Sequence, residues 1–171
     1  VLGTDYRLRL FDAKGQEQGS RRLTAAAWAV AMVPSRPLLV AALGDGSVRW
    51  YSLREDSLLA EIAGLFVTPD GRRWVAWTGD GLFAHADQGG AKLVGYQQNG
   101  TTKAPTGTWL PFDQAYRLFY DPDAVRSVLG DEASWPTIAQ GQRVAALFED
   151  LAGRAQGVRV DASGLAFLDD Q

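Results

Sequence analysis

"ALGDGSVRWYS", residues 42–52, runs from an apolar stretch through Gly44-Asp45-Gly46 into alternating residues that end in two adjacent aromatics. Asp-Gly between such segments signals a hairpin, because glycine accepts positive φ and the aspartate side chain bonds its own backbone. The pattern recurs along the chain. "TDYRLRLFD" (4–12) laid under "GDGSVRWYS" (44–52) matches Asp5 with Asp45, Leu8 with Val48, Arg9 with Arg49 and Phe11 with Tyr51, an offset of 40. "GDGLFAHAD" (79–87) repeats Asp45-Gly46 as Asp80-Gly81 at an offset of 35, and "VPSRPLLVAAL" (33–43) stands over "TPDGRRWVAW" (68–77) with Pro34 on Pro69 at the same offset. Pro69 presets φ and Gly71 supplies the left-handed position, so "TPDG" is a third expected turn.

Each unit thus reads as four short strands. The first is 28–33, then 65–68; the second 38–43, then 73–78; the third follows Asp-Gly; the fourth is 58–62, then 92–96. Four strands at a period of 35 to 40 residues are the sequence signature of a propeller blade. The expected fold is mainly β with a helical C-terminal segment: about two and a half antiparallel four-stranded propeller-type blades, a partial propeller. Residues 1–100 would hold the blades, 101–112 a linker, and 113–171 a helical exit segment with a terminal β-hairpin.

Composition fits a globular chain, with 46% hydrophobic and 22% charged residues among 171. Seventeen basic and 20 acidic residues give a net charge of −3 and are mixed along the chain, which argues against nucleic acid or an anionic membrane as partner. The apolar runs are too short to span a bilayer, so a soluble, cytoplasmic protein is expected. Zero cysteines remove disulfides, thiolate metal sites and any cysteine nucleophile. The chain opens at Val1 directly in strand-like sequence, which suggests a piece of a longer polypeptide.

The units resemble WD-repeat β-propeller blades. "FVTPDGRRWVAW" is similar to the start of such a blade, "DGSVRWYS" and "DYRLRLFD" to its third strand, with Phe11-Asp12 where the family has Trp-Asp. Tyr51-Ser52 and Ala86-Asp87 depart from that pair, and no Gly-His opens a blade. Residues 65–130, from "LFVTPDGRRWVAWTGDGLFAHADQGGAKLVGYQQN" to "WLPFDQAYRLFYDPDAVRSVLG", are similar to the last blade and exit segment of bacterial WD-repeat proteins that also carry a caspase-like peptidase domain. The resemblance implies a non-catalytic interaction, scaffolding or regulatory module without cofactor, its partner a protein or a neighbouring domain of the same polypeptide. A ring needs about four blades. With fewer, the chain pairs with another copy through its open blade faces or remains an open stack.

After the blades, Asp113 is placed to cap a short helix reaching Tyr120. Asp121-Pro122-Asp123 is a strong helix start and Gly130 a stop. Val144, Leu147, Phe148 and Leu151 predict a helix over 140–154, and "GVRVDASGLAFLDD" (157–170) a closing hairpin or a strand that completes a blade.

The alternative is a self-contained β domain with hydrolase or glycan-binding activity, its acids to be sought at Asp80 and Asp87. Little chemistry supports it. His85, the one histidine, has Asp87 two residues on, and a zinc site needs three or four donors. Asp121/Asp123 and Asp169/Asp170 have cap and tail roles that suffice without a sugar, and "GDGSVR" lacks the Lys-Ser/Thr of a phosphate loop. No catalytic, cofactor or metal residue is therefore assigned. Of the six tryptophans, Trp28, Trp50, Trp74 and Trp77 fall in strands; Trp74 and Trp77, three apart, point to opposite faces. Core packing is the default for all of them. Trp77, Trp109 and Trp135 are the candidate partner-binding surface.

Overall fold

The computed structural model describes residues 1–87, 89–98 and 108–135. The expected helix at 140–154 and the hairpin at 157–170 lie outside the described residues. Eleven strands occur among them: β1 (Leu2–Thr4), β2 (Arg7–Phe11), β3 (Glu17–Arg22), β4 (Ala27–Val33), β5 (Leu38–Leu43), β6 (Ser47–Ser52), β7 (Glu61–Val67), β8 (Trp74–Thr78), β9 (Phe83–His85), β10 (Gly95–Gln98) and β11 (Thr108–Pro111). Two helices follow, α1 (Tyr116–Phe119) and α2 (Pro122–Gly130). The fold is mainly β and antiparallel: a three-stranded sheet β1-β2-β3, a six-stranded meander β4-β5-β6-β7-β8-β9, and a hairpin β10-β11.

All three expected turns form, by one device. Gly46, Gly71 and Gly81 take φ of 82°, 69° and 95°, and each donates its N–H to a carbonyl three residues back, on Leu43, Thr68 and Thr78. Asp45 accepts from the Ser47 N–H at 2.9 Å and Asp70 from the Arg72 N–H at 3.1 Å. Thr68 and Thr78 hydroxyls donate to Asp70 and Asp80. A "T-x-D-G" turn thus occurs twice, ten residues apart.

The division into four-stranded units differs from the sequence reading. The end of the segment taken as a fourth strand (58–62) and most of the next first strand (65–68) run together in one strand, β7, paired with β6 on one side and β8 on the other. The chain turns earlier, in a 3-10 turn at Glu55–Ser57 and at Leu59, whose φ is 57°. Between Ile62 and Leu65 stand only Ala63 and Gly64, which carry no turn chemistry. Gly64 instead lets the Trp77 indole lie across the strand, where any Cβ would overlap the ring. The other fourth strand (92–96) is also displaced: a 3-10 turn covers Gly90–Lys92, and β10 pairs with β11. Thr108–Pro111, inside the stretch read as linker, is that partner strand, with Tyr96 opposite Leu110.

Cross-strand neighbours share a face, so the registers sort the side chains of the meander. Leu39, Ala41, Leu43 and Tyr51 meet Leu8 and Leu23, stacking the three-stranded sheet on β4–β6. Fully burying each large apolar side chain is worth about 1.5–3 kcal/mol, which makes this layer a main source of cohesion. Further along the same face, Val75, Trp77 and Phe83 are covered by Tyr96, Phe112 and Phe119, with Phe83 and Phe112 centroids 4.5 Å apart. On the opposite face Val125 packs on Ala76 and Ala84, and Val128 and Trp135 pack on Leu38, Ile62 and Ala63. α2 starts as expected, with the Asp121 carboxylate accepting from the Ala124 N–H at 2.9 Å and proline in the first turn. The helix from Asp113 is shorter, a 3-10 turn at Phe112–Ala115 before α1. No described helix is long and apolar enough to cross a membrane.

Candidate functional site

The densest polar cluster sits between strands β6, β7 and β8, on the face that meets the three-stranded sheet. Arg49 donates to Glu61 at 3.1 Å, to Asp45 at 3.3 Å and through Nε to Ser47 Oγ at 3.1 Å. Ser47 Oγ donates to Asp45 at 2.6 Å, and Trp77 Nε1 donates to Glu61 at 2.9 Å. The guanidinium also lies over the Trp77 ring, 5.3 Å from its centroid. The Glu61 side chain is 6% exposed and that of Arg49 17%, so the pair is held out of water. Charge-assisted bonds satisfy both ions, which is the condition for such a pair to persist at low dielectric.

The surroundings follow from this field. Desolvation alone would lower the Arg49 pKa, and Glu61, then Tyr51 and Asp45, more than reverse it. For Asp45 burial works against ionisation, and the Ser47 bonds with Arg49 hold its carboxyl below the usual 3.8. Burial, then Glu61, pushes the Tyr51 phenol above its usual 10.0; burial, then Asp80, does so for Tyr96, whose hydroxyl donates to the Gly81 carbonyl. Both phenols stay protonated in the folded chain at a pH where the unfolded chain ionises. Stability is therefore full below pH 10 and falls as pH rises past it, by up to about 1.4 kcal/mol per pH unit for each tyrosine. Urea midpoints across that range should show this slope, and Tyr51→Phe should remove one tyrosine's share of it.

The three-stranded sheet holds a second copy of the same arrangement. Arg9 pairs with Glu17 at 3.4 Å as Arg49 pairs with Glu61. Phe11 stands opposite Glu17 just after a bulge at Leu10/Phe11, and Tyr51 stands opposite Glu61 just after a bulge at Trp50/Tyr51. The copy is exposed, at 45% and 39% of its side chains. Sequence reasoning matched Arg9 with Arg49 and missed the acids, because the loops that separate them differ in length. A glutamate opening the strand after each arginine strand was the available signal.

The tryptophan surface expected from the sequence is not assembled. Trp77 and Trp135 are core residues, 4% and 7% exposed, Trp77 under Phe112 and Trp135 under Arg36, 5.7 Å from its ring. Trp77 lies in a sheet covered on both faces, and Trp135, which follows the 3-10 turn Glu132–Ser134, is part of the cover on the opposite face. Trp109 alone is exposed, at 52%. His85 is held by the Ala86 carbonyl at 2.7 Å from Nδ1 and by Phe83, Tyr116 and Tyr120 rings. Asp121 caps α2, Asp123 pairs with Arg126 at 2.9 Å on the surface, and Asp80 is buried against Thr78. No cluster of three or more metal-ligating side chains occurs among the described residues. No model of a known protein family matches the chain, and a search of curated proteins finds no match either.

Proposed function

We propose that the chain is a non-catalytic interaction and scaffolding module made of stacked propeller-type blades, part of a WD-repeat protein of the kind that also carries a caspase-like peptidase domain. The observation that carries the reading is the duplicated Arg–Glu–bulge unit, because its two copies fix how the sheets relate. The first sheet covers the second with its Leu8 and Leu10 side. The covered side is the one with Arg49 and Tyr51, whose counterparts Arg9 and Phe11 lie on the outer side of the first sheet. Like therefore stacks on unlike, a head-to-tail contact that leaves one face ready for the next sheet and closes when the rotation per sheet completes a ring. In this reading β4–β7 are one blade and β8–β9 extend its sheet. Partners are then a protein or a neighbouring domain of the same polypeptide, met on the outer face around Arg9 and Phe11.

The full reading frame tests the proposal. Further units of 35 to 40 residues and a peptidase domain with its own Cys and His are expected beside this segment. In that longer protein Phe11→Asp should open the outer face of β2, read as faster amide exchange there. A reading frame without further units, or exchange unchanged by the substitution, overturns the reading.

A further inference from the structure

The two stacked sheets have two ends, and the chain treats them differently. At one end the outer face of β1–β3 is open, with Arg9 and Phe11 on it. At the other lies the far face of the meander. There Ala42, Val48, Leu65, Ala76 and Ala84 stand opposite one another on consecutive strands from β5 to β9, an apolar row without charge. Val48 and Trp50 on this face match Leu8 and Leu10 at the offset of 40, and Leu8 and Leu10 are on the side with which the first sheet covers the second. The far face is thus the meander's own copy of a stacking surface. The exit segment occupies it: Val125 packs on Leu65, Ala76 and Ala84, and Val128 and Trp135 on Leu38, Ile62, Ala63 and Trp50. Arg36, in the turn before β5, fastens its end, donating to Glu132 at 3.1 Å and lying over the Trp135 ring. The opposite side of α2 is polar, with Asp123 and Arg126 paired in solvent.

We infer that α2 and Trp135 form an end cap, seated where a further sheet would stack, and that they keep a second copy of the chain off this face. Packed sheets lie about 10 Å apart, a space that the helix fills, so cap and sheet exclude each other. The occupant kept out is the first sheet of another copy. Its outer face, with Arg9 and Phe11, repeats the Arg49 and Tyr51 side that Leu8 and Leu10 already meet within the chain. Stacked repeats need terminal elements with a polar outer side to remain soluble, and α2 supplies one. Without it the contact is heterologous and adds copy after copy. The inference rests on the stacking in the proposed function and adds that the stack stops at this face, remaining open while α2 sits there.

Sedimentation equilibrium over a concentration series tests it. The unsubstituted chain should stay a monomer. Val125→Asp/Val128→Asp sets two charges against the apolar row and drives α2 off; its mass should rise with concentration past two copies, and adding Phe11→Asp should return it to a monomer. Arg36→Ala is the milder release and leaves both sheet faces as they are. Its α2 amides should exchange about tenfold faster, the worth of one charge-assisted bond, and its association should shift the same way. Monomers at every concentration for both release variants overturn the inference. So does an unsubstituted chain that associates as strongly as they do, or an association that Phe11→Asp leaves intact. Further units in the reading frame together with monomeric release variants would refute the cap alone and leave the proposed function standing.

Discussion

Trp77→Ala is expected to lower the unfolding free energy by about 3–5 kcal/mol, the range for removing a large aromatic side chain from a core. Three losses combine. The ring leaves a void over Gly64, which has no side chain to fill it. Glu61 Oε1 loses the indole N–H and keeps only the longer bond from Arg49 at 3.4 Å, and a hydrogen bond to a charged group is worth about 1.5–3 kcal/mol. Arg49 also loses the aromatic face under its guanidinium. Trp77→Phe separates these terms: it keeps most of the packing and removes the N–H, so it should cost less than the alanine variant. Urea unfolding with an unchanged m-value is the measurement. A loss below about 1 kcal/mol for Trp77→Ala would mean that the ring is not in the core.

The second large effect is non-additive. Arg49→Met leaves the Glu61 side chain 6% exposed and without its cation, and breaking a buried pair from one side costs about 3–5 kcal/mol. Glu61→Leu strands the guanidinium more mildly, because Asp45 and Ser47 still accept from it. The double variant Arg49→Met/Glu61→Leu should recover part of the loss, since apolar groups of similar volume replace a pair whose attraction was spent on desolvation, while the buried Trp77 N–H goes without its acceptor. The same cycle at Arg9 and Glu17 should read near zero, because that pair is exposed and such pairs contribute about 0–1 kcal/mol. Equal coupling energies at the two sites would contradict the difference in burial.

Much of the meander was legible because its signals are local. Asp45-Gly46, Asp80-Gly81 and Thr68-Pro69-Asp70-Gly71 each encode a turn within four residues, and Leu38–Leu43 reads as a strand by its apolar run alone. The boundary between units was not legible. Residues on both sides of Gly64 are apolar and suit a strand, and periodicity cannot tell one strand of seven residues from two of four. β11 was hidden for a related reason: Trp109 and Leu110 follow a Gly, Thr and Pro-rich stretch that reads as a linker, and their pairing with β10 is non-local. The burial of Trp77 depends on what covers its strand and that of Trp135 on the sheet face it meets, and neither local sequence encodes its non-local neighbours. The Arg49–Glu61 pair joins residues from adjacent strands across a loop whose length varies between the copies.

β7 has a consequence for how the molecule comes apart. Its bulge shows Glu61 to one face and Ile62 and Ala63 to the other, and its two edges bond β6 and β8. A break between the halves of the meander would have to tear one of these ladders along its whole length. The strand thus works as a common rail, and local opening that begins at either end runs into it. Amides of β7 are where the last protection against exchange belongs, in one cooperative unit spanning both halves of the meander.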